Sequence, residues 1–278
     1  MTTMWMDGRI RSAEQARVPV LDRGLTSGDG VFETLLVVDG QAFALTRHLR
    51  RLSRSLSVLG LPPLADGRVR EAIAETLAAA GPLPRGRLRV TVTAGVAPLG
   101  APRREQEPTL IVAVAPTDPW PERIAAVTVP WARNERSAVA GAKTTSSAEN
   151  AVCLRAAEQA GAQEALLGNT RGEVCVGSGS NVFVLVDGAL ATPPLSSGCL
   201  SGVTRELVLE WSVAAGLPVV ERTMPMSVLA GAAEVVLTSS TRLVQPVHVL
   251  DGRELQRGEL VGEVRDLFAR RAAQEIDP

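Results

Sequence analysis

Leucines 49, 52, 56 and 59 recur at three- and four-residue steps, the spacing that places side chains on one face of an α-helix. They predict a helix over residues 47–59 with Thr46 as its cap. Ahead of it, VFETLLVV at 31–38 reads as a strand, and Asp39-Gly40 supplies a hairpin turn to a second strand near 41–45. A second helix is predicted over 67–80. Two strands follow over 87–93 and 109–115, separated by a polar loop that contains Pro98 and Pro108. From Ala115 to Pro121 there are three prolines in seven residues, which argues against helix and against central strand. The domain boundary is placed there, giving an N-terminal α/β domain over 1–118 and a second domain over 119–278.

Beyond the boundary the pattern predicts a strand at 124–129 and a helix at 149–160 ended by Gly161. Short strands are predicted at 164–167, 174–176, 182–186 and 189–192, with a turn at Asp187-Gly188. A helix over 203–215 stops at Gly216 and Pro218, and strands at 234–238 and 247–250 lead to a C-terminal helix from about residue 260. Strands and helices mix without a regular βαβ period, and there is no internal repeat.

Composition narrows the functional classes. The 278 residues carry a net charge of −1, which gives no electrostatic reason to expect nucleic acid or an anionic membrane as partner. No apolar run reaches the ~18–20 residues of a membrane span, and residues 1–10 lack a signal peptide's apolar core. Cys153, Cys175 and Cys199 have no CxxC spacing and cannot all pair, so a cytoplasmic location is expected. His48 and His248 are the only histidines. With neither HExxH nor GxSxG present, both read as structural and no metal is expected.

The basic residues are 28 arginines and one lysine, Lys143. Arginine replaces lysine on a solvated surface, but only lysine supplies an amine that loses its proton and attacks a carbonyl. Lys143 lies in GAKTTSSAEN (141–150), a loop of small residues just before a helix, where a planar group can approach closely. Some sixty residues on, GCLSGVTR (198–205) sets a glycine ahead of a helix whose first amides can hold a phosphate, with Thr204 adding a hydroxyl. The cluster TSST (238–241) ends a strand.

In order, DRGLTSGDGVFE (22–33), HLRRL (48–52), Lys143, GSGSNVF (177–183), TPPLSSG (192–198), GVTR (202–205) and TSSTRLVQPV (238–247) resemble the class IV aminotransferase family, the fold-type IV pyridoxal phosphate enzymes. The resemblance spans nearly the whole chain. It implies an α+β, two-domain architecture like that of D-amino acid aminotransferase, and pyridoxal phosphate as cofactor. Lys143 matches the lysine that forms the Schiff base and shuttles the proton. Arg51 should hold the phosphate, with the amides of Val203 and Thr204 and the hydroxyl of Ser240. Leu200 should lie against the ring. The family builds each site from both subunits, so a homodimer is expected.

The chain departs from the family pattern in three places. Val176 stands where the family carries a glutamate against the pyridine nitrogen, and Glu173, three residues upstream, is expected on the other strand face. There is no tyrosine, and Phe32 occupies the place where many relatives have one. The arginine with which some D-amino acid aminotransferases grip the substrate carboxylate is missing after Val92-Thr93, where Ala94 follows. Two functions are expected from this. One is an aminotransferase or aminodeoxychorismate-lyase-like enzyme acting on a small amino acid or amino-chorismate-like substrate. The alternative is a repurposed member with cofactor-independent catalysis or a non-catalytic binding role.

Overall fold

The computed structural model describes residues 1–104, 106–256 and 258–278. The chain falls into two compact units. Unit 1 holds Met1–Pro119, Ala142–Ser146 and Ile276–Pro278; unit 2 holds Trp120–Gly141 and Ser147–Glu275. The division of the main chain lies one residue from the place set by the proline-rich stretch. Lys143, however, groups with unit 1, whereas the sequence reading assigned it to the second domain.

Unit 1 contains β1 (Thr3–Met6), β2 (Arg9–Ser12), α1 (Arg23–Thr26), β3 (Gly30–Val38), β4 (Gln41–Ala42), α2 (Leu45–Val58), α3 (Asp66–Ala80), β5 (Arg85–Thr93) and β6 (Thr109–Pro116). Its sheet runs β2-β1-β6-β5-β3-β4, antiparallel throughout. Alternation along β5 and β6 buries Leu88, Val90, Val92, Leu110, Val112 and Val114. These pack with the leucine stripe of α2 and with Val69, Ala72 and Ile73 of α3. Strand β6 is central and reaches Pro116, which pairs with Gly86 at the strand's last position, so the first two residues of the proline stretch, Ala115 and Pro116, lie inside the strand. The predicted second strand near 41–45 is only two residues long.

Helix α2 is capped differently from the expectation. Its N-cap is Ala44, in the left-handed region at φ 55°, without a side-chain bond. The Asp277 carboxylate accepts instead from the Thr46 amide at 2.8 Å and the Thr46 hydroxyl at 2.6 Å. A carboxylate 231 positions away thus meets the positive end of the helix, something no local pattern contains.

Unit 2 contains β7 (Ile124–Arg133), α4 (Ala148–Gln159), β8 (Glu164–Asn169), β9 (Val174–Gly177), β10 (Asn181–Val186), β11 (Ala189–Thr192), a 3-10 turn (Leu195–Ser197), α5 (Val203–Ala214), β12 (Val219–Glu221), α6 (Val228–Gly231), β13 (Val235–Ser239), β14 (Leu243–Leu250), β15 (Arg253–Glu254) and α7 (Glu259–Gln274). Its mixed sheet runs β12-β11-β10-β13-β14-β7-β8-β9, with β15 on β14. Strands β7 and β8 pair in parallel with α4 as their crossover, and β11 and β12 pair in parallel with α5 between them, so two βαβ units sit inside an otherwise irregular order. Helix α5 packs on β13 and on α7, where the Trp211 and Phe268 rings lie 5.0 Å apart. Among the described residues no helix is long and apolar enough to cross a membrane.

Candidate active site

In unit 1 the alternation of β3 turns a carboxylate, Glu33, toward the helix-covered face, where it is fully buried. Helix α2 supplies its partners. His48, Arg51, Leu52 and Ser55 share the buried face, while Arg50 and Arg54 are exposed, so Arg51 is no solvated surface residue. Arg51 grips Glu33 with a two-pronged fork, Nε at 2.8 Å and an Nη at 2.6 Å, and His48 Nδ1 stands 2.7 Å from the same carboxylate. Burial disfavours charge on Glu33, yet Arg51 and His48 outweigh it and hold its pKa down to about 2. Burial keeps His48 below the usual histidine value and thus neutral, which assigns the Nδ1 proton as the donor to Glu33. His48 is therefore a satisfied core histidine, as the sequence reading had it.

The lysine segment is stitched to the start of β3. The Phe32 amide donates to the Lys143 carbonyl at 2.9 Å, the Thr145 amide to Gly30 O at 2.9 Å, and the Lys143 amide to Ser55 Oγ at 3.1 Å. Gly30 has to be glycine, because a Cβ there would lie 2.7 Å from Val92 O and 3.2 Å from Thr145 Oγ1. The Lys143 amine lies 4.4 Å from the centre of the Phe32 ring, and the Arg89 guanidinium lies 3.8 Å from the same centre. Burial first, then the positive charge of Arg51, bring the amine's pKa down from near 10.5 to about 8, with Glu33 opposing and Arg89 assisting. Sequence reasoning missed Arg89 and the Glu33–His48 partnership. The only local signal was a carboxylate on the apolar face of an alternating strand.

Unit 2 holds the other four candidates. Leu200 is half-buried, and Val203 and Thr204 are buried in the first turn of α5. That helix has Gly202 as N-cap with no side-chain bond, so its first amides keep their capacity for an acceptor. A Cβ on Gly202 would lie 1.9 Å from Asn181 Oδ1. Asn181, at the head of β10, donates to Leu200 O at 2.8 Å and pairs with Thr238 of β13. The hydroxyls of Ser180 and Thr238 are buried there without a hydrogen-bond partner among the described residues. Ser240 lies in the β13–β14 turn. The turn closes through Leu243 at φ 59°, a left-handed position that costs a branched residue about 1–3 kcal/mol.

Position 176 is apolar. Val176, at the end of β9, clusters with Cys175 and Cys199, and burial pushes the Cys175 thiol up to about 12. Glu173 is held elsewhere: its carboxylate accepts from Asn169 Nδ2 at 2.8 Å and Arg171 Nε at 2.9 Å.

The architecture is that of the fold-type IV transaminases, an α+β fold in two units. Residues 30–250 match the family of class IV amino-transferases, and the chain belongs to that family. A putative branched-chain-amino-acid aminotransferase of Methanocaldococcus jannaschii is 32% identical over 95% of this chain and 94% of its own. A bifunctional aminodeoxychorismate lyase / D-amino acid transaminase of Mycobacterium tuberculosis is 32% identical over 91% and 92%. The pyridoxal phosphate-bound form of a hypothetical aminotransferase from the same organism is 30% identical, with a TM-score of 0.85 over 98% of both chains. The protein is thus an enzyme of a family that depends on pyridoxal phosphate.

That cofactor needs a reactive amine and a seat for an anion. Unit 1 has an amine with a lowered pKa, and unit 2 has an uncapped helix start near two orphaned buried hydroxyls. Both fit. The apolar environment of Val176 does not fit a protonated ring nitrogen.

Proposed function

We propose that this enzyme is a pyridoxal phosphate-dependent aminotransferase, or a lyase of the aminodeoxychorismate type, acting on a small amino acid or amino-chorismate-like substrate. The observation that carries the reading is the solitary lysine, whose amine is held near pKa 8 beside Phe32 and Arg51. About a tenth of such an amine is neutral at pH 7, against about one part in three thousand for an ordinary lysine. When bound, the cofactor supplies an aldehyde that condenses with amines and a ring that takes up the electron pair left by a departing α-proton. Lys143 Nζ would hold that aldehyde and, when free, would take and return the substrate's α-proton. Arg51, the Val203 and Thr204 amides and the Ser240 hydroxyl would each serve to hold the phosphate, and Leu200 would lie against the ring.

A cytoplasmic homodimer completes the reading. The exposed apolar side chains Val20, Leu25 and Leu99 support a partner surface, and three free buried cysteines suit a reducing compartment. The test is to load the protein with pyridoxal phosphate, reduce it with borohydride and weigh the Lys143 peptide. A pyridoxyl adduct is expected there; an unmodified lysine sinks the proposal. Half-reactions then separate the two chemistries, since a transaminase passes the amino group on and a lyase releases pyruvate without doing so.

Val176 favours a second reading, in which the fold serves cofactor-independent catalysis or a binding role. Under the first reading Val176→Glu strengthens the bound cofactor's ring-nitrogen protonation, read as a 15N shift. Under the second, neither protein takes up cofactor.

A further inference from the structure

The strained turn that carries Ser240 is held from behind by a buried ion pair. Glu164, the first residue of β8, is fully buried, and its Oε2 lies 2.9 Å from an Nη of Arg242, whose side chain is 7% exposed. The other carboxylate oxygen accepts from the Gly179 amide at 2.9 Å and from the Ser178 hydroxyl. Glu164 therefore fixes the Gly177–Ser180 turn, which leads into Asn181 and so to the start of α5.

Arg242 fixes the other turn. Its guanidinium stacks 4.0 Å from the centre of the Trp120 ring, and its amide donates to Ser239 Oγ at 3.3 Å. Trp120 in turn donates from its indole to Thr241 Oγ1 at 3.2 Å, so the residues on both sides of Ser240 are tied to this cluster. Leu243, the next residue, stays left-handed although it has a branched side chain, a conformation that lasts only where its surroundings over-determine it.

We propose that the Glu164–Arg242 pair, with Trp120 stacked on it, is a positioning device: it locks the Ser239–Leu243 turn to the Gly177–Asn181 turn, so that Ser240 and the start of α5 receive the cofactor's phosphate as one preformed seat. This deepens the proposed function and rests on it. Neither Glu164 nor Arg242 touches the cofactor in this scheme. They act through the turns they hold, as outer-layer partners act on the ligands they orient.

The test is a double-mutant cycle with Glu164→Gln, Arg242→Met and both together. Three quantities are read: the dissociation constant of pyridoxal phosphate from the holoenzyme, the binding of inorganic phosphate to protein freed of cofactor, and the melting temperature. Each single change is expected to weaken both affinities about tenfold. The double should be no worse than the weaker single, because both break one unit. Arg242→Lys keeps the ion pair and the fold but loses the flat stack on Trp120. It should melt near the wild type while its cofactor affinity falls.

Unchanged affinities in folded variants overturn the proposal, as does a weakening in the double equal to the product of the singles. Wild-type protein that takes up inorganic phosphate but no pyridoxal phosphate sinks the cofactor reading, and the phosphate arm then decides the positioning role by itself. Wild-type protein that binds neither overturns both.

Discussion

Arg89 offers the cleanest handle on the lysine. Its guanidinium and the Lys143 amine stand 3.8 and 4.4 Å from the centre of one Phe32 ring, so they are at most about 8 Å apart. At that separation two like charges repel by about 2 kcal/mol for an effective dielectric near 20, and by about 0.5 kcal/mol in water. Arg89 lies toward solvent, so the weaker half of that range applies. Arg89→Gln should then raise the amine's pKa from about 8 by roughly half to one unit, since one unit is about 1.4 kcal/mol. Lys143 is the only lysine, so acetylation at its side chain, followed by mass spectrometry across pH in cofactor-free protein, reads one amine apart from the chain's N-terminus. The wild-type midpoint should fall near 8. A midpoint near 10.5, or one that stays or falls when Arg89 is neutralised, refutes the reasoning.

The remaining predictions concern the groups around both halves of the site. The folded pKa of Glu33 lies at about 2 against an ordinary 4.5, so its stabilisation is present above pH 4.5 and is lost as pH falls toward 2. Buried, neutral His48 adds to acid lability, because the unfolded chain takes up its proton first as pH falls through the ordinary histidine range. Urea melts should show stability declining through these windows, and Glu33→Gln should flatten the decline between 4.5 and 2. Gly202→Ala drives a methyl into Asn181 Oδ1; we expect a loss of about 1–3 kcal/mol in chemical denaturation and weaker phosphate binding. Asp277→Ala removes the carboxylate that caps α2 and should cost about 1 kcal/mol in the same assay, while a change below ~0.3 kcal/mol would mean that Thr46 is capped by water.

Much of the chain was legible because its signals are local. The leucine stripe of α2, the hairpin at Asp187-Gly188 and the glycine ahead of α5 each depend on neighbours within a few positions. The latter two stand where expected, with φ of 50° and 76° at Asp187 and Gly188. The solitary lysine was conspicuous by composition alone. The short strands β1, β2 and β12 were missed, each having only three or four residues in which to show a pattern.

What the sequence determined by itself is the inventory: one lysine amine, a glycine ahead of a helix, a hydroxyl-rich turn and a valine at position 176. What only tertiary structure decided is their electrical and mechanical state. The lysine segment leaves the domain that precedes and follows it to bond along β3, which no reading of neighbours in the chain could place. Its pKa depends on burial and on Arg51, Glu33 and Arg89, which stand 54 to 110 positions away in sequence. Charges interact through space and water is excluded by packing; both depend on distance in three dimensions, so sequence order leaves them undetermined.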